Sequence, residues 1–109
     1  MKMIMAVINE DRLSDVINAL LQNDISGITV SETRGLGNIN LSKQVDESCL
    51  NKKVKLEIVV SNDEYKSLAI DTIIENTHIL NKGAGKIFVY NVDEVYRIRT
   101  GERDEDALK

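Results

Sequence analysis

Apolar periodicity along this 109-residue chain switches from strand to helix and back twice, and few small folds accept that order. Residues 3–8 form a short, continuously apolar run, the mark of a strand buried on both faces. Leu13, Val16, Ile17, Leu20 and Leu21 then fall at helical spacing, one apolar stripe on a helix from about residue 11 to residue 23. Ile28-Thr29-Val30 opens a second strand running towards Arg34. Val54, Leu56, Ile58 and Val60 alternate with Lys53, Lys55 and Glu57, a third strand. Ser61 followed by Glu64 has the form of a capping box, with Ser61 at the N-cap. The helix it predicts carries Leu68, Ala69, Thr72, Ile73 and Asn76 on neighbouring positions and fades near Thr77. A turn at Gly83-Ala84-Gly85 leads into a fourth strand over 86–90, and a shorter extended piece is expected over 95–99. The β-α-β-β-α-β order predicts one α+β domain over 1–109, a ferredoxin-like sandwich whose antiparallel sheet carries both helices on one face.

Two helices cover only one face of a four-stranded sheet, whereas three of the strands are apolar on consecutive residues. An exposed apolar face of that size is avoided by soluble proteins, so the pattern predicts that further copies cover it in a closed oligomer. The net charge of −4 excludes a general nucleic-acid binder, which needs a basic footprint. Any anion site is therefore a local concentration of cations. The single cysteine, Cys49, allows no internal disulfide. The apolar run at 3–8 is too short for a signal sequence or a membrane span, which makes the cytoplasm the expected compartment and membrane insertion unexpected.

Lys86, Arg97 and Arg99 are the sharpest candidates for chemistry. On an extended segment Arg97 and Arg99 would share a face, and their planar donor forks suit phosphate oxygens. Lys86 follows a Gly-x-Gly turn whose amides can face an anion. Spacing alone leaves phosphate binding level with surface pairing to Glu102, Asp104 or Asp106. The turn is no P-loop, because Leu80 and Ile87 stand where that motif requires glycine and a hydroxyl residue. His78 is the sole histidine, and neither a metal ligand set nor a catalytic set assembles around it or Cys49. The expectation is a protein that is not an enzyme.

The residues Gly85-Lys86-Ile87-Phe88-Val89-Tyr90-Asn91-Val92, running into Val95-Tyr96-Arg97-Ile98-Arg99-Thr100-Gly101-Glu102, resemble the C-terminal signature of the P-II signal-transduction (nitrogen regulatory) proteins. The resemblance extends to Gly27–Val30, Gly35-Leu36-Gly37, Lys53–Val60 and Asp71–Ile74, and so to most of the chain. It implies a homotrimer of ferredoxin-like subunits with ATP or ADP in each intersubunit cleft. It also implies control of a target protein, a membrane transporter or metabolic enzyme, through a T-loop. Carried onto this sequence, the T-loop is 35–51 and the C-terminal tail 100–109. Gly83, Ala84, Gly85 and Lys86 would line the phosphates with Arg97 and Arg99 of the adjacent subunit. Gly35 and Gly37 would approach through backbone, and Thr29 and Val59 would lie by the adenine. The family's Gly-Phe-Gly-Arg-Gln is replaced by Gly35-Leu36-Gly37-Asn38-Ile39, so the residues that orient Mg-ATP and 2-oxoglutarate do not carry over. The loop is shorter and holds no tyrosine, with Ser42 and Ser48 as its only serines. Those departures keep open a different ligand on the same scaffold, such as AMP, a cyclic nucleotide or another anion. A structural trimer related to divalent-metal tolerance proteins ranks behind both.

Overall fold

The structure, a computed structural model, describes residues 1–37, 46–78 and 84–109. Expectations placed on Asn38, Ile39, Ser42, Ile79, Leu80 and Gly83 lie outside these residues. The elements are β1 (Lys2–Ile8), α1 (Leu13–Gln22), β2 (Ile28–Gly35), β3 (Asn51–Val60), α2 (Asp63–Thr77) and β4 (Gly85–Asn91). The strands form one sheet in the order β2-β3-β1-β4 with every neighbouring pair antiparallel. This is the expected βαββαβ ferredoxin-like arrangement.

Strand pairing divides the sheet into two unlike faces. Ile4 pairs with Ile58 and Val89, and Ala6 with Leu56 and Ile87, so these side chains share a face. Ile4, Ala6, Ile8, Val54, Leu56, Ile58 and Val60 are buried there beneath Val16, Leu20, Ala69 and Ile73 of the two helices. The opposite face carries Met3 beside Val59 and Tyr90, Met5 beside Glu57 and Phe88, and Val7 beside Lys55 and Lys86. Met3, Met5 and Val7 are only half-buried, and Phe88 and Tyr90 are exposed. The run at 3–8 is thus buried on one face within a single chain, not on both.

Local chemistry sets the element ends. Residues Glu10–Arg12 form a single 3-10 turn, so α1 starts at Leu13 rather than near residue 11. At its other end Ile25 N–H donates to Leu20 O (3.0 Å) and Asp24 N–H to Leu21 O (3.1 Å), with Asp24 left-handed at φ +59°. This is a Schellman closure, and buried Ile25 and Leu20 supply its usual apolar contact. Arg12 Nε donates to Asn76 O (2.9 Å), placing a cation at the negative end of α2. The N-cap of α2 is Asn62 and not Ser61: the Asn62 side chain accepts from Tyr65 N–H at 2.9 Å. Asparagine and serine cap equally well, so position relative to the first turn decides.

The extended piece expected over 95–99 is instead a closed loop. Only Tyr96 bridges, to Arg103. Arg97 N–H donates to Glu102 O and Gly101 N–H to Arg97 O, both at 2.8 Å, around a turn at 98–100. Gly101 makes the reversal cheap, with φ +72°. Arg97 and Arg99 therefore do not sit side by side on one strand face.

Candidate functional site

A groove of about 410 Å³ opens at one end of the half-exposed sheet face. Met3, Thr29, Glu57 and Val59 lie in it as alternate residues of three strands, with Ser26 and Gly27 at the entry to β2. Val95 and Arg97 contribute from the C-terminal loop, and Ala107, Leu108 and Lys109 from the tail. Three of the residues singled out in the sequence, Thr29, Val59 and Arg97, are brought together here. Glu57, Met3 and Leu108 carry no motif that marks them. Glu57 was nonetheless legible as a carboxylate on the alternating β3 pattern, two residues from Val59 and aimed at the same face.

The other candidates lie elsewhere. Lys86 pairs with Val7 and Gly85 with Ile8, while Gly35 pairs with Asn51. All three positions sit at the far end of the sheet from Met3 and Val59. The five steps from Met3 to Ile8 alone span roughly 16 Å. Gly35 and Gly85 also stand on opposite edge strands, β2 and β4. One chain thus presents two candidate half-sites: an amide- and lysine-bearing end with Gly35, Gly37, Ala84, Gly85 and Lys86, and an apolar groove with Thr29, Val59 and Arg97.

The cations differ in how they are engaged. Arg97 is half-buried: one terminal nitrogen pairs with Glu102 Oε1 at 2.9 Å, the other donates to Ala107 O (3.2 Å) and to Lys109 O. Glu102 also accepts from Thr100 Oγ1 at 2.7 Å. Of the acidic neighbours weighed in the sequence, Glu102 takes Arg97, Asp104 accepts from Val95 N–H (3.2 Å), and Asp106 pairs with Lys109 (3.4 Å). Lys86 and Arg99 are exposed and have no ion-pair partner among the described residues. Asp46 caps the turn Glu47–Cys49; the Ser48 hydroxyl, with the Ser48 amide, holds its carboxyl below the usual carboxylate range.

A groove, a glycine-led lysine and a loop of arginines, split between the ends of one sheet, call for comparison with known chains. The family model for nitrogen regulatory protein P-II matches residues 1–102. The nitrogen regulatory protein P-II of Pasteurella multocida is 42% identical over 113 residues, covering 99% of this chain and 100% of its own length. Nitrogen regulatory protein P-II 1 of Escherichia coli K12 is 40% identical with the same coverage. The P-II homolog of Arabidopsis thaliana is 43% identical over 95% of this chain, which spans 56% of that relative's length. The chain belongs to the nitrogen regulatory P-II signal-transduction family.

Proposed function

We propose that this chain is a non-catalytic regulator that binds ATP or ADP in clefts between the subunits of a homotrimer and acts on a target protein through its T-loop, residues 35–51. The observation that carries this is the separation of the two half-sites. Lys86 and Thr29 of one chain stand on the opposite edge strands β4 and β2, roughly 14 Å apart across the sheet, and Val59 lies four residues along it from Lys86, so a small ligand held in the groove of one chain is far from that chain's own lysine. It meets both when the lysine-bearing end of one copy sits against the groove of the next. Such a contact joins unlike surfaces, and repeated around an axis it closes a ring. The half-exposed face with Met3, Met5, Val7, Phe88 and Tyr90 supplies apolar area for that ring.

In this reading the base lies against Thr29 and Val59, and the phosphates meet the amides of residues 83–85, Lys86 and the arginine loop of the neighbouring copy. Gly35 and Gly37 admit close backbone approach. Phosphate recognition of this kind uses amides and cations and requires no catalytic group. With Asn38 and Ile39 in place of the family's arginine and glutamine, Mg and 2-oxoglutarate are not part of the proposal. The target is a membrane transporter or a metabolic enzyme, met in the cytoplasm; among the described residues no helix is long and apolar enough to cross a membrane.

Calorimetric titration tests the reading. ATP or ADP is expected to bind, and Lys86→Ala to weaken binding ten-fold or more, as loss of a charge-assisted contact does. No heat with AMP, ADP, ATP or a cyclic nucleotide would overturn it. Heat with a cyclic nucleotide alone would transfer the site to that ligand.

A further inference from the structure

A second pocket lies on the opposite face of the sheet from the groove, at the end where β2 stops and β3 begins. Val54 is buried beneath the helices, and strand pairing puts Glu32 beside it and Arg34 beside Lys52 on that same face. Glu10, on the 3-10 turn that follows β1, contributes from the other side. The space these residues line is about 320 Å³, the size of a small-molecule site.

Its charges are neither of one sign nor paired off. Arg34 and Lys52 stand directly opposite each other on antiparallel strands, with Cβ atoms about 5 Å apart, where like charges repel. Among the described residues, the side chains of Arg34, Lys52, Glu10 and Glu32 have no ion-pair or hydrogen-bond partner. Lys53 differs: by alternation its side chain belongs to the other face, and its Nζ donates to Asn9 Oδ1.

We propose that this pocket binds a free α-amino acid as its zwitterion, with the carboxylate between Arg34 and Lys52 and the ammonium against Glu10 and Glu32. A simple anion would face two carboxylates here, and a simple cation would face an arginine and a lysine. A ligand carrying both signs a few bonds apart meets an opposite charge at each end. The Arg34 fork suits a carboxylate, which also relieves the repulsion between the two cations. Occupation therefore ties together the two strands that lead into and out of residues 35–51. The nucleotide reading is not needed for any of this.

The test uses the full chain. Backbone amide spectra are recorded with each of the standard L-amino acids, up to about 10 mM, the range in which even a weak site fills. At least one is expected to bind, with shifts centred on residues 32–34 and 52–54. Two relatives of the tightest are then titrated, the acid that lacks its ammonium group and the amide that lacks its carboxylate. Each is expected to bind about ten-fold more weakly or worse, as loss of a charge-assisted contact implies. Arg34→Ala, Lys52→Ala and Glu32→Gln are expected to lose a similar factor for the amino acid itself. All three side chains are exposed, so circular dichroism should be unchanged. Should a variant fail to fold, the two relatives still decide the matter on the unaltered protein. The proposal is overturned if no amino acid binds, if the acid binds as tightly as the amino acid, or if affinity is unaltered in the variants. Shifts centred instead on the groove, at 26–29 and 57–59, overturn it as well.

Discussion

Gly85 opens β4 at φ +125°, and a Cβ there would lie 2.1 Å from the Val7 carbonyl oxygen. No rotamer relieves a clash between backbone and Cβ, so Gly85→Ala is expected to cost about 2–4 kcal/mol, read as a lower urea midpoint with an unchanged slope. Asp24 is the milder case. It holds φ +59° at the end of α1 with no glycine's freedom, and Asp24→Gly is expected to raise stability by about 0.5–1 kcal/mol in the same assay. Asp46 supplies a pH signature. Its carboxyl is held below the usual range by Ser48, so the charged form is the one the fold favours. Its contribution is complete above the ordinary carboxylate range and disappears as pH falls through the depressed value. The Ser48 amide resonance, followed from pH 7 downward, is expected to shift only below that ordinary range. Glycine identities were legible in the sequence as turn formers. The close approach at Gly85 was not, because the room left for a Cβ depends on which strand lies alongside.

The elements were legible where period and length agreed. The alternation of Val54, Leu56, Ile58 and Val60 is the buried face of β3, and the α1 stripe puts Val16 and Leu20 in the core. Element ends were less legible, since neighbouring residues compete for the same role. Ser61 and Asn62 both cap well, and only the turn geometry gives the Tyr65 amide to Asn62. Asn62→Ala is therefore expected to cost about 1 kcal/mol, and Ser61→Ala to leave the thermal midpoint nearly unchanged. The sequence 95–99 was misleading for a related reason. Val95, Ile98 and the arginines have strand-like alternation, but β-pairing needs a neighbour, and the chain turns back on itself at Gly101 before one is met.

At the scale of the molecule, the candidate site was legible as a set of residue types and not as a place. Thr29, Val59 and Arg97 meet in a groove, while Lys86, Gly85 and Gly35 lie towards the other end of the sheet; no local pattern encodes that distance. On the proposed reading the same split makes association and binding one property, and this can be tested without a ligand. Met5 and Phe88 are cross-strand partners at the centre of the face turned away from the helices, half-buried and 43% exposed. If this face is the subunit contact, Phe88→Glu places a charge where apolar area must close, with no cation opposite it in the strand register. Light scattering on the eluting protein is then expected to give three times the chain mass for the unaltered protein and the mass of one chain for Phe88→Glu. Its circular dichroism should be retained, because the helix-covered core is untouched. Leu21→Glu serves as the control. Leu21 is 51% exposed on α1, away from this face, and its variant is expected to keep the unaltered mass. A Phe88→Glu protein that elutes unchanged would place the contact elsewhere, and the two half-sites would then have to meet by some other surface.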